Sequence, residues 1–407
     1  MCVSYRLPER NLRKGRNVPR LFVAVALISR VLPGVLDSCM RGRLRSYILA
    51  TSALAVFAML RSASSRLRLM ALLNTAKAML TTSASASPYI VAVDGVATAS
   101  ALTSKEFLLN SPSGAYTTAR TCSQARRLFE WETHVTRTAA SVEAMVRGEG
   151  KEALPSAEAS LVLDALATPS ALRPRLDETV SAAMSAYVDA HGDSTELKVT
   201  VLVSWQGSSC ESATPSSSLG SIACHVAPLP PLPSSPVRVE VRGAPRSNAL
   251  AKDSSWVADR APLEDLMRAS ETGDLNELLL ASETGELLEG SQTNFFALVD
   301  GAVVTAGEGV LEGTVRRLLL EVCEREGIPV VLKPPKLAEA ASKWEGALIS
   351  STSRLMLPID ELYVPADGQP SKASDLRVAF ENGHGSLAAR LRDLCAAEVV
   401  SHSTLMI

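Results

Sequence analysis

Leu287-Leu288-Glu289-Gly290-Ser291-Gln292-Thr293-Asn294-Phe295-Phe296 is the stretch around which the rest of the chain can be read. An acid-Gly-x-x-x-Asn-apolar-aromatic run stands there between a short apolar strand and the strand-like segment Phe295–Val304, which Asp300-Gly301 breaks as a turn. Working outward, Glu277–Ser282, Ile328–Leu332 and Ala347–Ser350 read as strands, and Thr314–Arg325 and Ser386–Ala396 as helices. Val237-Arg238-Val239-Glu240-Val241 alternates as a strand does. Before it, Pro228–Pro236 is Pro-rich and Gly207–Leu219 is Ser-rich, which predicts a surface insertion followed by a linker. Further back, Leu197–Trp205 is strand-like. Val135, Ala139, Val142 and Val146 share one helical face, and Leu176, Val180, Ala183 and Tyr187 share another. Tyr89–Val93 ends at Asp94-Gly95, a hairpin signal. The pattern predicts an α/β protein with mixed sheets in two domains, 86–228 and 237–407, joined by residues 229–236.

The 407-residue chain is 46% hydrophobic, enough for two cores of ordinary size. Its near-neutral net charge hides an asymmetry. Residues 1–85 hold 14 Lys and Arg against Glu9 and Asp37, whereas the remainder holds 27 basic and 41 acidic side chains. So acidic a body argues against nucleic acid as a partner. The first 85 residues are Arg-, Ser- and Ala-rich and nearly free of acids, the composition of an organellar transit peptide, chloroplast or mitochondrial. The apolar run Tyr47–Leu60 is shorter than the ~20 residues that span a bilayer, so no membrane span is expected. The seven cysteines contain no C-x-x-C pair and the five histidines no ligand spacing, so a reducing compartment and no structural metal are expected.

Glu289-Gly290-x-x-x-Asn294-x-Phe296 resembles the signature of the class IV pyridoxal-phosphate (PLP) aminotransferases, which include branched-chain and D-amino-acid aminotransferases and aminodeoxychorismate lyase. The resemblance implies the two-domain fold type IV and the cofactor pyridoxal 5′-phosphate. It also implies a homodimer acting on an amino acid and a 2-oxo acid. Glu289 then takes the place of the carboxylate that pairs with the pyridine nitrogen, and Asn294 joins it at the cofactor. A carboxylate there keeps the ring protonated and able to draw off electrons.

Four other segments carry the likeness, in the family's order. Lys252 stands 37 residues before Glu289, the family's interval for the lysine that holds the cofactor as a Schiff base. His134-Val135-Thr136-Arg137 is similar to the H-x-x-R-L motif whose Arg binds the 5′-phosphate, with Thr138 in place of Leu. Arg suits this because its planar fork meets phosphate oxygens in pairs. Gly313-Thr314-Val315-Arg316 resembles a turn whose two amides after the Gly hold the phosphate. Ile349-Ser350-Ser351-Thr352 resembles the turn whose small residue and Thr, here Ser351 and Thr352, close over it. The likeness covers residues 88–365.

Two departures bear on the reaction. The family's Tyr shortly after the lysine is absent, with Ser255, Trp256 and Val257 in its place. Thr117-Thr118-Ala119-Arg120 is closer to aminodeoxychorismate lyase or to a plant-type branch of the superfamily. Tyr116 and Arg120 are candidates for the substrate pocket, Arg120 to pair a carboxylate. The expected activity is transamination through Lys252. Release of pyruvate from aminodeoxychorismate and PLP binding without turnover are the alternatives.

Overall fold

The Asp94-Gly95 and Asp300-Gly301 dipeptides each turn the chain with both residues at positive φ (44° and 83°, 49° and 72°), the conformation that tight hairpins demand. They sit in different sheets. The computed structural model describes residues 87–148, 156–205, 220–246, 249–270, 273–364 and 376–407. The basic segment 1–85, its apolar run Tyr47–Leu60 and the Ser-rich stretch Gly207–Leu219 lie outside the described residues.

The first sheet is antiparallel throughout. It holds β1 (Tyr89–Val93), β2 (Val96–Ser100), β3 (Ala115–Cys122), β4 (Arg127–Phe129), β5 (Leu197–Ser204) and β6 (Ser221–Pro228), and its spatial order begins with a strand from the far end of the chain. Helix α1 (Ser104–Leu109) opens on a capping box in which Thr103 and Glu106 satisfy each other's backbone donors. Helices α2 (Trp131–Arg147), α3 (Ser156–Leu166) and α4 (Pro169–His191) complete this half. The stripe Val135, Ala139 and Val142 of α2 and the stripe Leu176, Val180 and Ala183 of α4 bury against Val199, Val201 and Val203 of β5. Arg137 lies off that stripe, which leaves its side chain for another use.

The second sheet is mixed. It holds β7 (Arg238–Val241), β8 (Glu277–Ala281), β9 (Leu287–Gly290), β10 (Asn294–Val299), β11 (Ala302–Thr305), β12 (Val330–Leu332), β13 (Trp344–Ser351), β14 (Leu355–Pro358), β15 (Glu361–Val364) and β16 (Leu376–Ala379). β7 pairs in parallel with β8 and β15, and β11 with β12; the other pairings are antiparallel. Because strand side chains alternate, Phe295 and Phe296 face opposite ways. Phe296 joins Leu318, Leu319 and Leu391 under two helices, while Phe295 joins Val239, Leu279 and Trp344. Those helices are Thr314–Glu326 and Leu387–Ala397; a further helix, Ala261–Arg268, follows Lys252.

The last strand, β17 (Ser403–Leu405), returns to the first sheet and pairs with β4. There the Glu130 N–H donates to the His402 carbonyl at 2.7 Å, and Glu130 Oε1 lies 2.8 Å from His402 Nδ1. Arg317 also meets the Glu130 carboxylate. Glu130 itself adopts a left-handed conformation (φ 54°) just before α2. No helix among the described residues is long and apolar enough to cross a membrane, and no group of three His, Cys, Asp or Glu among them is placed to hold a metal.

Candidate active site

Lys252 lies in a loop that is laced to the first sheet. Its carbonyl accepts the Tyr116 N–H at 2.9 Å, and the Ser254 N–H donates to the Gly114 carbonyl at 2.9 Å. Its own N–H donates to Ser141 Oγ on α2 at 3.1 Å. Gly114 is itself required by the neighbouring strand β5, since a Cβ there would fall 2.2 Å from the Val203 carbonyl oxygen. The Lys252 ammonium stands 4.7 Å from the centre of the Tyr116 ring, within cation–π range. Burial lowers its pKa to about 8; Tyr116 opposes the shift, and Arg137, Arg246 and Arg260 reinforce it. An amine so tuned is a usable nucleophile and base near neutral pH.

Glu289 belongs to β9 and is 4% exposed. Its Oε2 accepts the Leu311 N–H at 3.0 Å. Its Oε1 lies 3.4 Å from Arg246 Nε but makes no hydrogen bond. Burial raises its pKa, against the pull of Arg246, the Leu311 amide and Lys252. Arg246 in turn donates to the Ala249 and Ala251 carbonyls (3.2 and 3.1 Å) and lies over the Trp256 ring, 5.2 Å from its centre. Trp256 Nε1 donates to the Ser291 carbonyl at 2.8 Å. Of the three residues standing where the family's Tyr was expected, Trp256 and Val257 are part of the cavity wall.

At the other end the helix Thr314–Glu326 starts at Gly313 with no side-chain cap, leaving its first amides for an anion. Thr314 Oγ1 and Thr352 Oγ1 lie 3.0 Å apart beside it. Ser351 Oγ accepts the Arg354 N–H at 3.3 Å, which shapes the turn after β13. Arg137 Nη2 donates to Thr117 Oγ1 at 2.8 Å, and Thr117 Oγ1 lies 2.7 Å from His134 Nδ1. Arg137 Nη1 reaches the Glu312 carbonyl at 3.4 Å, while its Nε is buried without a partner. Burial lowers the Arg137 pKa to about 10, partly offset by Tyr116. Burial, then Arg137 and Lys252, push His134 well below its ordinary value and keep it neutral.

One cavity of about 380 Å³ is lined by Tyr116, Arg137, Lys252, Glu289, Asn294, Thr314, Val315, Ser351 and Thr352 together. Arg120 does not line it; its guanidinium donates to the Ser353 carbonyl at 3.4 Å. The wall also includes Thr118, from the lyase-like string, and Lys198, Thr200, Arg246, Arg260 and Arg354, which sequence reasoning passed over. For Arg246 a signal was present, since an arginine six residues before the lysine shares its loop. Arg260 and Arg354 stand close in the chain to Lys252 and Thr352 but belong to no motif, and strand pairing brings Lys198 and Thr200 in from a distant segment.

Residues 114–362 match the family model of amino-transferase class IV, and the chain belongs to that family. Its fold is shared by solved structures of low identity. A branched-chain aminotransferase from Thermoproteus uzoniensis with norvaline is 19% identical, with a TM-score of 0.55 over 78% of this chain and 99% of the other. A hypothetical aminotransferase from Mycobacterium tuberculosis in its apo form is 17% identical, with a TM-score of 0.53 over 77% and 99%. The PLP-bound form of a hypothetical aminotransferase from the same organism is also 17% identical, with a TM-score of 0.51 over 77% and 99%. No curated protein matches the chain.

Class IV aminotransferases use pyridoxal 5′-phosphate. The residues present fit that group. Arg137 Nε and Glu289 Oε1 are buried polar atoms without hydrogen bonds at this cavity, and Gly313 leaves open a space that a Cβ would fill 2.0 Å from Asn294 Oδ1.

Proposed function

We propose that the protein is a PLP-dependent transaminase acting on an amino acid and a 2-oxo acid, with Lys252 as the group that attaches the cofactor and carries the proton. The observation behind this reading is the cavity that holds Lys252, with its lowered pKa, together with an anion-binding set (Arg137, Thr314, Thr352) and a carboxylate, Glu289, whose Oε1 makes no hydrogen bond. When bound, PLP serves as the electron sink for bond breaking at the substrate Cα. Arg137, the Thr314 and Val315 amides and the Ser351 and Thr352 hydroxyls would hold its phosphate; Glu289 would accept a proton-bearing ring nitrogen at Oε1. Asn294 keeps the loop before Gly313 in place. Lys252 Nζ moves the proton to and from the substrate Cα, and the Tyr116 ring limits where that amine can go. The family likeness makes a homodimer the expected working unit, which sedimentation at assay concentration would test.

A second reading has one observation in its favour: Thr118, from the lyase-like Thr117-Thr118-Ala119-Arg120 string, lines the cavity. Mixing the PLP-loaded protein with L- and D-amino acids, without any oxo acid, separates the possibilities. Conversion of the cofactor to its amine form marks a transaminase. Release of pyruvate from aminodeoxychorismate marks the lyase. A spectrum indifferent to every ligand marks a non-catalytic PLP-binding protein. Borohydride labelling must land on Lys252; a label on any other lysine removes that residue from the role.

A further inference from the structure

Besides Arg137, Arg246 and Lys252, four cations line the cavity: Lys105, Lys198, Arg260 and Arg354. Two carboxylates serve them. Glu264 pairs with both Lys105 and Arg260, the latter at 3.1 Å, and Glu277 pairs with Arg354 at 3.3 Å. The Lys198 ammonium has no ion pair or hydrogen bond among the described residues. Beyond what the cofactor engages, the wall carries a surplus of two positive charges. The Cα carboxylate of an amino acid answers one of them.

Lys198 and Thr200 project from the same face of β5, two residues apart. Thr200 is 1% exposed, and its hydroxyl is buried at the cavity wall without a partner. Burial and Arg260 depress the Lys198 pKa, Tyr116 opposes them and Arg354 adds to the depression, so these groups share one field. Aliphatic methyl groups packed there would strip water from an unpaired ammonium and give nothing back. A carboxylate would supply charge-assisted hydrogen bonds.

We infer that Lys198 and Thr200, with Arg260 and Arg354 beside them, form a subsite for the second carboxylate of a dicarboxylic amino or 2-oxo acid and select it over a branched aliphatic one. This rests on the transaminase reading and names its substrate class. Glutarate and 5-methylhexanoate, in which an isopropyl group replaces one carboxylate, are unreactive probes of equal length. Calorimetry on the full chain loaded with PLP should show glutarate binding about tenfold tighter or more, the scale of one charge-assisted contact. Lys198→Met should abolish the preference and Lys198→Arg should retain it, with cofactor absorbance reporting that each variant is folded. Equal affinities in the parent protein, or an undiminished preference in Lys198→Met, overturn the subsite. If PLP binds and neutral amino acids turn over while glutarate shows no advantage, the subsite alone fails. If PLP does not bind at all, the reading beneath it fails as well.

Discussion

Glu289 and Asn294 grip the two ends of a single residue. They face each other across β9 and β10, and between them Asn294 Nδ2 donates to the Leu311 carbonyl at 2.7 Å while the Leu311 N–H donates to Glu289 Oε2 at 3.0 Å. The two polar residues of the signature thus fix the loop that delivers Gly313 and the uncapped helix start. A local sequence pattern acquires its meaning from a contact 17 and 22 residues away.

Replacing Asn294 by Ala leaves the nearly buried Leu311 carbonyl with the Gly313 N–H, at 2.9 Å, as its remaining donor. The expected cost is about 0.5–1.5 kcal/mol of stability, the net value of one hydrogen bond. Affinity for PLP should fall with it, because the amides beyond Gly313 lose their anchor. Thermal unfolding and a PLP titration measure the two effects; unchanged PLP affinity would free Asn294 from this role.

Gly313→Ala would place a Cβ 2.0 Å from Asn294 Oδ1. Something must move, at about 1–3 kcal/mol. The same substitution in an Asn294→Ala background has no such oxygen to meet. A double-mutant cycle should therefore show the pair costing less than the two single changes added. Strict additivity would locate the strain elsewhere.

Glu289→Gln keeps the shape and an acceptor for Leu311 but removes the charge. PLP should still bind, and the half-reaction with an amino acid should lose about 2–4 kcal/mol of transition-state stabilisation, the scale of one preorganised electrostatic group. Single-turnover rates decide this. A variant as fast as the parent would take Glu289 out of the chemistry.

Only the neutral amine of Lys252 attacks an aldehyde. With its pKa lowered to about 8, capture of PLP should accelerate as pH rises towards that value and then level off. A solvated lysine would go on accelerating to ~10.4. The folded chain releases this proton before the unfolded one does, so the same group makes stability climb with pH between about 8 and ~10.4. Borohydride trapping across a pH series measures the first; a plateau only near the solvated value would contradict the burial argument.

What could be read in the sequence was local. Asp94-Gly95 and Asp300-Gly301 announce their hairpins because few other pairs adopt positive φ twice in succession, and the helix beginning at Thr314 shows its stripe of Leu318, Leu319 and Val322. Thr103-x-x-Glu106 was an available signal for α1 that the reading did not use. The short strands β14 to β16 were not anticipated, being too brief to show a period, nor was the helix Ser156–Leu166, where the consecutive apolar residues Leu161, Val162 and Leu163 obscure the helical spacing. Lys198, Arg260 and Arg354 look like ordinary surface cations in the chain. They become a wall only when β5, the segment after Lys252 and the turn after β13 close on one another. Tyr116 and Arg120 share a face of β3 and looked equivalent, yet only Tyr116 stands at the cavity.

The return of β17 to β4 sets a timetable. A ribosome releases Arg127–Phe129 long before Ser403–Leu405, so the edge of the first sheet stays unpaired through most of synthesis. Glu130, which leads into the helix bearing Arg137, waits just as long for His402. A contact spanning 272 residues is among the last that the chain can make. The arginine at the anion end of the cavity is therefore mounted on a helix whose entrance is clasped only when synthesis has passed residue 402.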